Sequence, residues 1–186
     1  MLVLEHLATQ ADSPKLFDVK AFIPMWRQRL TSGWKQWVCT QTKQTYQQIS
    51  QGAPISQLGG NSNAMALRYA SVFAYYSTEE EAVDAALKTM FTHRERTAKL
   101  GCEFFARVVY RVIHKGLTPV DAIRQVSNES DQWIQKKVQQ GLAKVHEATD
   151  ENKALSREEF VDDLALTSMA RLWDVGKSEP IKVNLH

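Results

Sequence analysis

The sequence predicts an all-α protein, a single domain over residues 1–186 in which helices cross as an orthogonal multi-helix bundle. Three observations carry this expectation. Apolar residues recur at three- and four-residue intervals along most of the chain, helix-start and helix-stop signals punctuate them, and no alternating run is long enough for a convincing strand. A length of 186 residues with 44% hydrophobic and 24% charged side chains is sufficient for one sizeable core and argues against global disorder.

The elements follow in order. Leu2, Val3, Leu4 and Leu7 make a short amphipathic segment that ends near Asp12-Ser13-Pro14, and Phe17 to Leu30 forms a second, with Phe22, Trp26 and Leu30 at fourfold spacing and Gly33 closing it. Trp34 and Trp37 lead into the polar helix TQTKQTYQQIS, which stops at the turn Gly52-Ala53-Pro54. Trp26, Trp34 and Trp37 are read as core, against the alternative of a partner-facing surface. After Asn63 the run AMALRYASVFAYY is apolar on most faces, so its helix is expected to be buried nearly all round, at the centre of the core.

Thr78 and Glu81 have capping-box spacing, so the next helix starts there and ends near Phe91-Thr92-His93. Glu79-Glu80-Glu81 then reads as a solvated first turn favoured by the helix dipole. Leu100 to His114 follows, with Leu100, Phe104, Val108 and Val112 on one stripe, Phe105, Val109 and Ile113 beside it, and Gly116 at the C-cap. Thr118-Pro119-Val120-Asp121 supplies a cap, an N1 proline and an N3 acid for another helix. The remainder is more polar and helical, with a further capping box at Ser156 and Glu159, and the end GKSEPIKVNLH reads as coil.

Several function classes lose support on composition and motif. A net charge of +2 with scattered basic residues gives no stripe for nucleic acid. Cys39 and Cys102 lie far apart without a CxxC neighbour, which fits neither a disulfide framework nor a zinc knuckle and suits a reducing, cytoplasmic compartment. MLVLEHLATQ lacks the pattern of a signal peptide, and no apolar run reaches membrane-spanning length. None of the five histidines pairs with another ligand at i, i+4, and GxSxG, P-loop and GxGxxG signatures are missing. Asp162-Asp163 is a poor magnesium seed, because helix neighbours diverge by about 100 degrees.

Two stretches remain. GGNSNAMALR, residues 59–68, sets two glycines and three small polar side chains ahead of an apolar helix. It is either an ordinary helix cap or a cradle whose free N–H groups and positive dipole end receive phosphate or hydroxyl oxygens. Thr92-His93 stands between two apolar helices, where a histidine can simply donate to the last carbonyls of a helix.

Taken together, GGNSNAMALRYASVFAYY and the later FTHRERTAKLGCEFFARVVYRVIHKGLTPVDAI resemble the ADP-ribosylglycohydrolase family, which also includes a lens crystallin. The family's order is a glycine-rich loop, an Asn, an Arg five residues on and a Thr-His pair roughly thirty residues later; Asn63, Arg68 and Thr92-His93 stand in those places. The resemblance extends more weakly over most of the chain, back to LVLEHLA and forward to EPIKVN. It implies an all-helical fold with ADP-ribose in a cleft and hydrolysis of the bond joining ADP-ribose to its acceptor. It further implies a substrate-binding set of Gly59, Gly60, Asn61, Ser62, Asn63, Thr92 and His93, the loop on the phosphates and ribose and His93 against the diphosphate or distal ribose.

Family members commonly hold two magnesium ions on Asp-rich motifs near each terminus. This chain starts just past the expected place of the first motif and stops short of the second, and Asp162-Asp163-Leu164 lacks the threonine and the position to substitute. The chain is therefore expected to represent the central part of the fold, to hold no magnesium alone and to have lost most of the rate enhancement. A partner or second copy is expected to cover apolar surface left on AMALRYASVFAYY. The alternative to an ADP-ribosylglycohydrolase is a catalytically inactive ADP-ribose-binding or helical interaction module.

Overall fold

A computed structural model of the chain describes residues 2–9, 16–32, 40–58 and 70–149. Among them lie eight α-helices and no strand: α1 (Leu2–Ala8), α2 (Val19–Thr31), α3 (Thr40–Ser50), α4 (Ala70–Tyr75), α5 (Glu79–Lys88), α6 (Arg96–Lys115), α7 (Pro119–Glu129) and α8 (Gln132–Thr149), with short 3-10 turns at Ile55–Gln57 and Thr89–Thr92. The protein is all-α, as its sequence predicts. No helix of the described residues is long and apolar enough to cross a membrane. The chain divides into two compact units, 1–135 and 136–186. Of the second, the described part is the C-terminal stretch of α8, on which Leu142 and Val145 are exposed. Gly33, Trp34, Trp37, the Ser156/Glu159 capping box and the tail lie outside the described residues.

The caps work as the sequence indicates. Thr78 Oγ1 accepts from Glu81 N–H at 3.3 Å and donates to the Glu81 carboxylate at 2.7 Å, and Thr118 repeats both bonds with Asp121 at 3.2 and 2.7 Å. Asp18, a cap that the sequence reading passes over, starts α2 by accepting from the N–H groups of Lys20 and Ala21. Gly116 closes α6 at φ +65°, a left-handed conformation that a side chain would strain.

The main core of the first unit is an aromatic knot. Phe17 and Phe22 pack at 5.2 Å, Phe91 reaches Phe22 at 6.1 Å and meets Trp26 edge-on at 5.0 Å, and Leu7, Val72, Phe73, Ala85 and Ala86 fill around them. Trp26 is thus a core residue. AMALRYASVFAYY is not buried all round: within its described part Val72, Phe73 and Tyr76 are buried, Tyr75 is half-buried and Ala74 is exposed. α1, α5 and α6 of the same chain pack against α4, which carries Val72 and Phe73.

α6 presents three faces. Ala98, Cys102, Ala106 and Tyr110 enter the main core at fourfold spacing, the first three small enough to let α5 approach closely. Val108, flanked by Phe104 and Val112, packs with Ala122 and Val126 of α7. Phe105 and Ile113, expected beside the core stripe, are exposed, while Val109 is partly buried against the main core.

The third face is ionic, and it corrects the reading of Glu79 as a solvated first-turn residue. Glu79 is only 7% exposed, and its carboxylate receives Arg111 at 2.9 Å, Lys115 at 2.7 Å and Arg107 at 3.2 Å, three cations four residues apart on α6. Arg111 also forks onto Glu129 of α7 at 2.6 and 2.8 Å. Burial by itself would raise the Glu79 pKa, but the bonds from Arg111, Lys115 and Arg107 prevail and hold it down from the usual 4.5 to about 2. Glu80 and Glu81 are exposed, as expected.

His6 is the opposite case. It is buried edge-on against Phe17 and Phe22 at 5.0 and 5.3 Å, and its Nε2 has no hydrogen-bond partner. Burial pushes the imidazole pKa below its usual 6.5, against an opposing pull from Asp18.

Two measurements test these contacts. Removing one partner of a buried ion pair strands the others, so Glu79→Gln is expected to cost about 3 kcal/mol in urea unfolding. Because the folded carboxyl is the stronger acid, its stabilisation is present above pH 4.5 and is lost as pH falls toward 2. For His6 the unfolded chain binds the proton more readily, so stability declines as pH drops below 6.5; His6→Phe is expected to flatten that part of the stability–pH profile.

Candidate functional site

Thr92 and His93 owe their placement to the way α5 ends. The Thr89 hydroxyl donates to the Ala86 carbonyl at 2.7 Å, and Met90 leaves helical geometry at φ −82°, ψ 18°. The chain tightens into the 3-10 turn Thr89–Thr92, which drives Met90 and Phe91 into the aromatic core. His93 follows, its N–H bonded to the Met90 carbonyl at 2.8 Å.

Thr92 and His93 are both wholly buried, at 0% exposure. Thr92 Oγ1 lies 2.6 Å from His93 Nδ1, a short contact between two buried side chains. α3 supplies the polar wall beside them: Thr42 and Thr45 are buried, Thr45 Oγ1 donates to the Thr92 carbonyl at 3.4 Å, and Gln41 Nε2 donates to Thr45 Oγ1 at 3.4 Å. Both bonds are long and individually weak. Their consistency with the burial of two threonines on one helix face is what assigns α3 to this turn.

Next in the chain, the Arg94 guanidinium donates to the Ile55 carbonyl at 3.1 Å. Ile55 belongs to the segment 53–58, which ends at Leu58, buried in the core and directly before Gly59. The structure thus ties the Thr92-His93 turn to the backbone that leads to the glycine-rich stretch. Gly59, Gly60, Asn61, Ser62, Asn63 and Arg68 lie outside the described residues, as do Asp162 and Asp163. Among the described residues no three His, Cys, Asp or Glu side chains gather closely enough to hold a metal ion, so they do not fit a magnesium site.

Gln41, Thr45 and Arg94 escape the sequence reading. The inward face of α3 is marked only by Tyr46 and Ile49, which pack against the core and stand with Thr42 and Thr45 at i, i+3, i+4, i+7 spacing, a pattern in which the two threonines read as polar. For Arg94, a guanidinium on a backbone carbonyl 39 residues away leaves no mark in sequence.

The family model described as ADP-ribosylglycohydrolase matches residues 1–178, and the chain belongs to the ADP-ribosylglycohydrolase family. Neither a curated protein nor a solved structure matches it significantly.

Arg94→Ala is expected to release the Ile55 carbonyl at a cost of about 1 kcal/mol, the net value of one such bond. Amide hydrogen exchange is the check: protection over residues 53–58 falls, while that of α6 stays as in the parent.

Proposed function

We propose that the chain binds the ADP-ribosyl group of a modified substrate and serves hydrolysis of the glycosidic bond that holds it. The family match over residues 1–178, which includes both the glycine-rich stretch and Thr92-His93, carries this reading. In it, backbone N–H groups and short side chains of Gly59, Gly60, Asn61, Ser62 and Asn63 receive the diphosphate and ribose oxygens, as glycines and short polar side chains are suited to do. In the same reading His93, with Thr92 beside it, contacts the diphosphate or the distal ribose. The bond from Arg94 to Ile55 supports the pairing, since it holds the approach to the loop against the turn that carries His93.

In this family the reaction is served by magnesium, which orients ribose hydroxyls and activates water. Among the described residues no His, Cys, Asp or Glu cluster supplies a ligand set for it. A reducing cytoplasmic setting agrees with the sparse cysteines.

One observation favours a second reading, an ADP-ribose-binding or interaction module without chemistry. His93 is wholly enclosed and bonded to its own neighbour, as a structural histidine would be.

Isothermal titration with ADP-ribose separates these readings from a helical protein with no such ligand. Saturable binding is expected, with Asn63→Ala weakening it about tenfold, equivalent to about 1.4 kcal/mol. No binding by the parent chain overturns the hydrolytic reading and leaves, of the second, only an interaction module. Magnesium-dependent release of ADP-ribose from a modified substrate eliminates the second reading, and binding without release favours it.

A further inference from the structure

We infer that α1 is a pH-sensitive latch: protonation of the buried His6 ring opens the contact of α1 with α2 and α4 while the helices behind it stay folded. The ring is 4% exposed, packs against Phe17 and Phe22 at 5.0 and 5.3 Å, and its Nε2 has no hydrogen-bond partner. A neutral imidazole tolerates one unsatisfied nitrogen there. An imidazolium carries a full charge and donates from both nitrogens, and in an aromatic pocket that charge is far more costly to bury. Taking up the proton therefore favours bringing the ring to water, and the ring shares its face of α1 with Val3 and Leu7, so the helix leaves with it.

The other ties of α1 are slight. It is seven residues long, too short to persist as an isolated helix, and besides His6 it buries Val3 and Leu7. Glu5 meets Arg29 of α2 at 2.6 Å, but the two side chains are 41% and 45% exposed, and such a pair contributes little. The charged groups near the ring do not compensate the cation. Asp18, at the start of α2, favours it, yet Asp18 Oδ1 already accepts from the N–H groups of Lys20 and Ala21, and burial outweighs its pull. α4, which also packs on α1, has Tyr75 as its ionisable side chain and no acid. Opening α1 uncovers Phe17 and Phe22, so mild acid exposes an apolar face, whatever ligand the chain takes.

Amide hydrogen exchange of the full chain tests this, read as protection factors so that the intrinsic effect of pH on exchange is removed. Protection of the last turn of α1 and of Thr9 is expected to fall about tenfold between about pH 7.5 and about pH 5.5, a decade for the interval below the ring's ordinary 6.5, while α6 and α7 keep theirs. His6→Phe, which fills the pocket with a ring that takes no proton, is expected to abolish the fall. His6→Gln is expected to do the same should phenylalanine disturb the packing. An equal loss in α1 and α6 makes the transition global and overturns the inference, as does a fall that survives in either folded variant. The parent chain also decides alone: if NMR of its ring carbon-bound protons shows His6 taking up a proton in this range while α1 keeps its protection, the latch does not exist.

Discussion

Phe91 wedged against Trp26 and Phe22 is the contact on which the described structure depends. It lies on a 3-10 turn, and a tighter helix with three residues per turn rotates successive side chains differently from the α-helix before it. Burying Met90 and Phe91 on the core side leaves the Thr92 carbonyl to Thr45 of α3, whose inward face sets Thr42 and Thr45 beside Tyr46 and Ile49. One hydrophobic constraint thereby decides where the polar pair is held.

The ionic face of α6 follows a different logic. Three cations at fourfold spacing converge on Glu79, and Arg111 hands the link on to Glu129, so α5, α6 and α7 are joined by charges as well as by apolar packing. A buried carboxylate costs desolvation, and three directional bonds are what offset it. Tyr110 and His114 on the same helix bond to the carbonyls of Ser77 and Phe73, so the end of α4 and its link to α5 are held from α6 too. The helix is a strut, with the turn carrying His93 just before its first residue.

Much of this was legible beforehand because it is local. Thr78 and Thr118 cap within three residues, Gly116 supplies a left-handed φ, and the short apolar patterns of α1 and α2 describe faces of single helices. The family was legible as well, from the order of a glycine-rich stretch and a Thr-His pair. What misled were patterns whose meaning depends on neighbours: Glu79 resembles its exposed partners Glu80 and Glu81, and Phe105 and Ile113 resemble the core stripe beside them.

Helix type, helix ends and family membership were therefore determined by the sequence alone, since each depends on residues a few positions apart or on a recurring motif order. Tertiary structure alone decided which carboxylate is buried, which α6 face meets which helix, and that Gln41, Thr45 and Arg94 serve the turn at His93. The reason is physical: desolvation and pairing are set by what lies across the gap, and residues 39 or 47 positions apart are brought together only when the whole chain packs.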